Sequence, residues 1–122
     1  MKVALSVWGK RISPVLDSTR MLLIADIRNR RINGKKFEPF DYASPFSRAA
    51  KLDDLGVRVL ICGAVSNFFA NLIETYGIQI ISFITGTVDE VLDAYVGGTF
   101  SITKFRMPGC GTRDNKDSRK EE

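Results

Sequence analysis

The sequence contains no histidine and only two cysteines, Cys62 and Cys110, among its 122 residues. The absence of histidine excludes His-based acid/base catalysis, Ser-His and Cys-His nucleophilic pairs, and every metal triad that contains histidine. Two cysteines are too few for a disulfide scaffold, and in a reducing cytosol we expect both to be thiols.

Long apolar runs are also lacking. No run approaches the roughly 20 residues that a bilayer requires, and the amino terminus has no apolar signal-peptide region. We therefore expect a cytoplasmic protein with no membrane segment. The composition, 44% apolar and 26% charged, is typical of a globular protein. It predicts one domain over residues 1–103 and a flexible polar tail over residues 104–122.

Acidic residues are scarce in the first third of the chain. Residues 1–36 hold nine Lys/Arg and two Asp (+7), residues 37–103 hold three and eight (−5), and residues 104–122 hold six and four (+2). The basic excess around residues 28–36 favours a charged edge strand, which is a common guard against aggregation. A phosphate-rich partner is the alternative. Nucleic acid is not expected, because the cluster lacks interleaved aromatic residues and matches no nucleic-acid motif.

The apolar run at residues 57–61 predicts a strand buried on both faces, because a one-sided strand would alternate with polar residues. Gly63 follows it and is expected to let the backbone turn sharply, and Ser66 predicts the amino-terminal cap of a helix. Unpaired N–H groups at such a helix start can hold an anion. Ligands of open α/β sheets bind at this edge, so the turn is a candidate site.

Other strands are predicted at residues 2–8, 21–27 and 78–83. A turn at Asn29 and Arg30 leads into a more polar, antiparallel strand, in which Ile32 and Phe37 are expected to face inward. Residues 9–14 are expected to lack regular structure, and residues 15–19 to form a loop at the ligand edge.

Three helices are predicted between these strands. The first begins at the Ser44 cap, the second covers residues 67–76, and the third begins at a capping box of Thr87 and Glu90. The alternation predicts an α/β fold with helices on both faces of a mixed, mostly parallel sheet of about five strands.

Four stretches carry a family resemblance: residues 1–4, residues 12–13 with 22–26, residues 56–66, and residues 87–95. Together they resemble the dinitrogenase iron-molybdenum cofactor biosynthesis family of single-domain Nif-type accessory proteins. The resemblance spans about residues 1–98 and implies a three-layer α/β/α, ribonuclease H-like fold. It also implies a non-enzymatic protein that binds, carries or assists a metal-sulfur cofactor or its precursor, with metallocofactor assembly proteins as partners.

The chain departs from this family in the loop after the first strand. Many relatives carry His-Phe-Gly there, whereas this chain has Val15, Leu16 and Asp17. The family's candidate cluster ligand is therefore missing.

Cys62 and Cys110 are then the only thiolates available to an iron-sulfur or iron-molybdenum-type cluster, and a cluster held wholly by cysteine needs four. A homodimer would supply four, or a preformed cluster with its own ligands would be held by one or two contacts. Cys62 lies near a helix start, where the dipole favours thiolate, and glycines flank Cys110. The structural alternatives are a buried apolar Cys62 and an incidental thiol in the tail.

The candidate cofactor-binding residues are therefore Asp17, Ser18, Cys62, Gly63, Ala64, Ser66 and Cys110, and the two cysteines are the candidate metal ligands. The alternative hypothesis is a regulatory module in which the turn at residues 63–66 binds a small anion or a nucleotide. A nuclease is not favoured, because two-metal chemistry needs converging carboxylates and the first strand contains no acid.

Overall fold

The structure is a computed structural model that describes residues 1–40, 44–98 and 105–107. Cys110 and the rest of the predicted tail from residue 108 lie outside the described residues. The strands are β1 (Lys2–Trp8), β2 (Arg11–Ile12), β3 (Met21–Arg28), β4 (Arg31–Pro39), β5 (Val57–Ile61) and β6 (Gln79–Ile81). The α-helices are α1 (Pro45–Asp54), α2 (Asn67–Glu74) and α3 (Val88–Gly97). One turn of 3-10 helix covers Leu16–Ser18. No described helix has the length and apolar character needed to cross a membrane.

The six strands form one mixed sheet in the order β4-β3-β1-β5-β6, and the short β2 pairs with β1. Strands β1, β5 and β6 are mutually parallel, and β3 is antiparallel to both β1 and β4. Four of the five strands in this order therefore run in one direction, which confirms the predicted sheet. Strand β2 was not predicted, since residues 9–14 contain little apolar pattern; it forms a tight hairpin with the end of β1.

Helices cover both faces of the sheet, so the fold has three layers. On one face, α3 packs over a core of Val3, Leu5, Val7, Ile12, Leu23, Ala25, Ile27, Val59, Ile61, Ile84, Val88, Val91 and Leu92. On the other face, α1 and α2 pack over Ala4, Leu16, Leu22, Ile24, Phe40, Ala49, Leu52, Val57, Leu60, Cys62, Phe69, Ile73 and Ile78. Strand β5 contributes to both cores, as its nearly unbroken apolar sequence predicts.

The β3–β4 hairpin turns at the predicted residues. Asn29 and Arg30 have φ of 51° and 61°, the left-handed conformation that tight two-residue hairpin turns require. Ile32 is partly buried against the α3-side core, as expected. The inward prediction for Phe37 is wrong, because its side chain is 63% exposed. Strand β4 is an edge strand, so Phe37 has a neighbouring strand on one side only.

The predicted helix caps are confirmed. The Ser44 Oγ accepts from Phe46 N at 3.0 Å, and the Ser66 Oγ accepts from Phe69 N at 3.2 Å. At α3, Thr87 Oγ1 accepts from Glu90 N, but the Glu90 carboxylate accepts from the Thr87 hydroxyl instead of its N–H.

The first turns of α1 and α2 each carry an exposed phenylalanine. Phe46 and Phe68 each lie two residues after a helix cap and are 61% and 57% exposed. Their rings meet edge to face, with centroids 5.8 Å apart.

Residues 105–107 contact the main domain although the sequence places them in the tail. The Thr85 N–H donates to the carbonyl of Phe105, and the Met107 N–H donates to the carbonyl of Phe83. Phe105 also packs against the α3-side core. The predicted boundary at residue 103 therefore does not separate these three residues from the fold.

Candidate functional site

The turn after β5 is held tightly against the loop that follows β2. The Ala64 N–H donates to the Pro14 carbonyl and the Leu16 N–H donates to the Ala64 carbonyl, both at 2.8 Å. Gly63 is buried, and a Cβ there would overlap the carbonyl oxygens of Ser13 and Pro14. Gly63 is not among the glycines with positive φ. The predicted reason for this glycine was therefore wrong: close backbone approach, and not a sharp turn, requires it.

Asp17 occupies the helix start that the sequence assigned to an external anion. Its Oδ1 accepts from the Ser66 backbone N–H at 2.9 Å, and its Oδ2 accepts from the Ser66 hydroxyl at 2.6 Å. Asp17 therefore faces the turn as expected, but the expected open corner is filled. A phosphate or nucleotide would first have to displace this carboxylate, and the structure does not favour the small-anion hypothesis at this turn.

The Cys62 side chain is completely buried in the core beneath α1 and α2. Its backbone N–H and carbonyl pair with Ile81 and Ile84 at 3.0 Å, which fixes the side chain beneath the surface. In this position it matches the structural alternative of a buried apolar residue. Within the described ranges, no group of three or more His, Cys, Asp or Glu side chains could hold a metal ion.

The predicted residues thus divide into three groups. Asp17, Gly63, Ala64 and Ser66 come together, whereas Cys62 lies below them in the core. Ser18 is exposed, and its hydroxyl donates to the Val15 carbonyl at 3.4 Å. It lies on the wall of a cavity that sequence reasoning missed.

This cavity is the larger of two that adjoin at the end of β1. It has a volume of about 710 Å³ and is lined by Val7, Trp8, Gly9, Ser13, Pro14, Val15, Ser18, Thr19, Arg20, Met21 and Phe37. The second has about 440 Å³ and is lined by Val7, Gly9, Lys10, Leu23, Lys35, Lys36, Phe37, Val88 and Asp89. Because they share three lining residues, we treat them as one feature and name it the basic groove. Each of the two cavities has a volume in the range of small-ligand sites.

The basic groove combines positive charge with apolar walls. Its charged lining residues are Lys10, Arg20, Lys35, Lys36 and Asp89. The Lys36 ammonium lies 3.6 Å from the Glu38 carboxylate, which leaves three cations against one carboxylate.

The apolar walls include Trp8 and Phe37, which are 72% and 63% exposed, and the thioether-bearing Met21. Such a groove favours an anion whose surface is weakly hydrated, because the cations attract it and the walls gain from losing water. The sequence signal was present in the basic first third, which favoured a charged edge strand and left a phosphate-rich partner as the alternative.

The loop residues that the resemblance sets against His-Phe-Gly lie at the groove wall or directly behind it. Val15 lines it, Leu16 is fully buried, and Asp17 binds Ser66 behind it. In this chain Val15 therefore forms part of the groove wall, and Leu16 and Asp17 lie behind it.

The strand order and directions, with helices on both faces, define a three-layer α/β/α protein. Solved structures share this fold. PH0822 has a TM-score of 0.76 at 16% identity, covering 80% of this chain and 90% of that one. MJ0327 of Methanocaldococcus jannaschii, provisionally named a dinitrogenase, has a TM-score of 0.68 at 22% sequence identity, and the match covers 80% of this chain and 89% of that one. TM1290 of Thermotoga, provisionally named a NifB protein, has a TM-score of 0.63 at 24% sequence identity, and the match covers 80% of this chain and 88% of that one.

The chain belongs to the dinitrogenase iron-molybdenum cofactor family, whose family model matches residues 1–98. This confirms the resemblance drawn from the sequence. No curated protein matches the chain.

Proposed function

We propose that this protein is a cytoplasmic, non-enzymatic accessory or carrier protein of metallocofactor assembly. Its cargo is an anionic metal-sulfur cluster or precursor, which binds in the basic groove. Family membership supports the pathway class, and the groove supports the class of cargo.

The observation that carries the proposal is the excess of three cations, Lys10, Arg20 and Lys35, over the single Asp89 carboxylate on apolar walls. Thiometallates and iron-sulfur clusters with thiolate ligands are anions whose sulfur surface is soft and weakly hydrated. Cations attract such an anion from solution, and Trp8, Met21 and Phe37 exclude water from its surface.

Charge, and not coordination, holds the cargo in this proposal. A cluster bound wholly by protein thiolates needs four, and the side chain of Cys62 is buried. A cargo that retains its own ligands needs no protein thiolate and can be passed on without breaking a metal-protein bond. Assembly proteins that supply or accept the cluster are the proposed partners. Ligation by Cys62 and Cys110, shared between two copies in a homodimer, is the alternative mode.

The test of the groove uses tetrathiomolybdate as the probe, with equilibrium dialysis of the full chain under anaerobic conditions. A Lys10→Gln/Lys35→Gln variant is expected to bind about tenfold more weakly, because two surface charges at roughly 0.7 kcal/mol each sum to about 1.4 kcal/mol. The matched control is Arg30→Gln/Arg31→Gln, which removes the same charge from the exposed far end of the β3–β4 hairpin, where salt screens it from the groove. An equal loss in both variants would show that net charge alone attracts the probe. Undetectable binding to the unaltered protein would refute the proposal.

The substitution Cys62→Ala separates the charge proposal from the thiolate alternative. Cys62→Ala leaves tetrathiomolybdate binding and the iron and molybdenum content of anaerobically purified protein unchanged if charge holds the cargo, because the Cys62 side chain is buried. The measurement is elemental analysis together with visible absorption. Loss of metal from Cys62→Ala, with the fold intact by circular dichroism, would favour thiolate ligation instead.

A further inference from the structure

The wall of the basic groove includes a loop that hydrogen bonds hold from the side opposite the groove. Ser13, Pro14, Val15, Ser18 and Thr19 line the groove. On the opposite side of this loop, backbone hydrogen bonds pair it with Ala64, as a parallel bridge to Val15. Within the loop, the Thr19 hydroxyl donates to the Val15 carbonyl at 2.9 Å.

Asp17 joins this loop to both helices on the same face. Its carboxylate accepts two hydrogen bonds from Ser66, the cap of α2, at 2.9 and 2.6 Å. Its backbone carbonyl accepts from the guanidinium of Arg48 on α1. The guanidinium carbon of Arg48 lies 5.3 Å from the centroid of the buried Phe40 ring, which fixes that side chain in turn. One residue therefore connects the groove wall to the starts of two helices.

We propose that Asp17 is a positioning residue of the basic groove: through Ser66 it holds the loop at residues 13–19 in the shape that receives the ligand. The inference rests on the proposed function for the identity of the ligand. A groove whose wall is held in place loses less conformational entropy on binding, so its affinity depends on this contact although Asp17 does not line the groove.

A charge effect and a positioning effect of Asp17 predict opposite changes in tetrathiomolybdate affinity for the substitution Asp17→Ala. Asp17 carries a negative charge close to a groove proposed to bind anions. If the residue acted only through its charge, Asp17→Ala would strengthen tetrathiomolybdate binding. If it positions the wall, Asp17→Ala weakens binding despite the lost repulsion, by roughly fivefold.

Ser66→Ala separates the two effects further. It removes the 2.6 Å hydroxyl contact but leaves every charge in place. We expect it to weaken probe binding to a similar degree, and we expect Ser66→Thr, which retains a hydroxyl, to restore binding. The matched control is Ser44→Ala, which removes the equivalent cap of α1, where the Ser44 hydroxyl accepts from the Phe46 N–H. It should lower stability in the same way and leave affinity unchanged.

Hydrogen exchange tests the contact without any ligand. The Leu16 amide, which donates to the Ala64 carbonyl, should exchange about tenfold faster or more in Asp17→Ala and Ser66→Ala than in Ser44→Ala. Unchanged protection of this amide, or tighter probe binding by Asp17→Ala, would overturn the positioning role. If the unaltered protein binds no probe, the proposed function fails, but the exchange result still decides whether Asp17 holds the loop.

Discussion

A Gly63→Ala substitution is expected to destabilise the protein by about 2–4 kcal/mol, because the added methyl group meets backbone and not a flexible side chain. The new Cβ would overlap the carbonyl oxygens of Ser13 and Pro14. The Pro14 carbonyl also accepts the Ala64 N–H, so displacing it weakens the bridge between the loop and the turn. Since domain stability is only about 5–15 kcal/mol, this is a large fraction of the total.

Urea denaturation measures the effect, and Gly97→Ala is its control. A Cβ at Gly97 has no atom within 4 Å, and the residue ends α3 without positive φ. Alanine should therefore be neutral or slightly stabilising there. If Gly63→Ala shifted the denaturation midpoint no more than Gly97→Ala, the tight approach of the two backbone segments would be wrong.

The sequence predicted the elements of this fold well because local rules determine them. The nearly unbroken apolar run of β5, the caps at Ser44 and Ser66, and the turn at Asn29 and Arg30 each depend on a few adjacent residues. These signals, together with the order of strands and helices, were sufficient to predict helices on both faces of a mixed sheet.

The candidate site was predicted less well because long-range geometry determines it. The groove depends on β4 lying at the edge beside β3, which exposes Phe37 and places Lys35 near Lys10. Strand alternation predicts that Phe37 and Lys35 share a face, but not whether a helix covers that face. The buried position of Cys62 is of the same kind, because a residue at the end of a strand can face the core or the edge.

Asp17 illustrates a partial success. Its place opposite the turn follows from the strand order, and the structure brings it to Ser66 across 49 positions of sequence. The sequence could not show that its carboxylate satisfies the same donors that an external anion would use. Helix starts attract anions in general, and here the chain supplies its own.

A Leu16→Ala substitution is expected to cost about 2–5 kcal/mol, the range for truncating a fully buried leucine. Leu16 has no exposed surface, although it lies in a single 3-10 turn between two exposed residues. It belongs to the core beneath α1 and α2, so its side chain anchors the groove wall from below. The loss should lower the midpoint of urea denaturation and also accelerate exchange of the Thr19 amide, which donates to the Leu16 carbonyl at 3.0 Å.

Leu16→Met is the matched control, since it nearly conserves volume and should cost less than about 1.5 kcal/mol. If alanine were tolerated as well as methionine, the loop would be held by its hydrogen bonds alone. The family resemblance sets Val15, Leu16 and Asp17 against the His-Phe-Gly of many relatives. A large loss of stability in Leu16→Ala would show that this central position supports the groove wall by packing in the core.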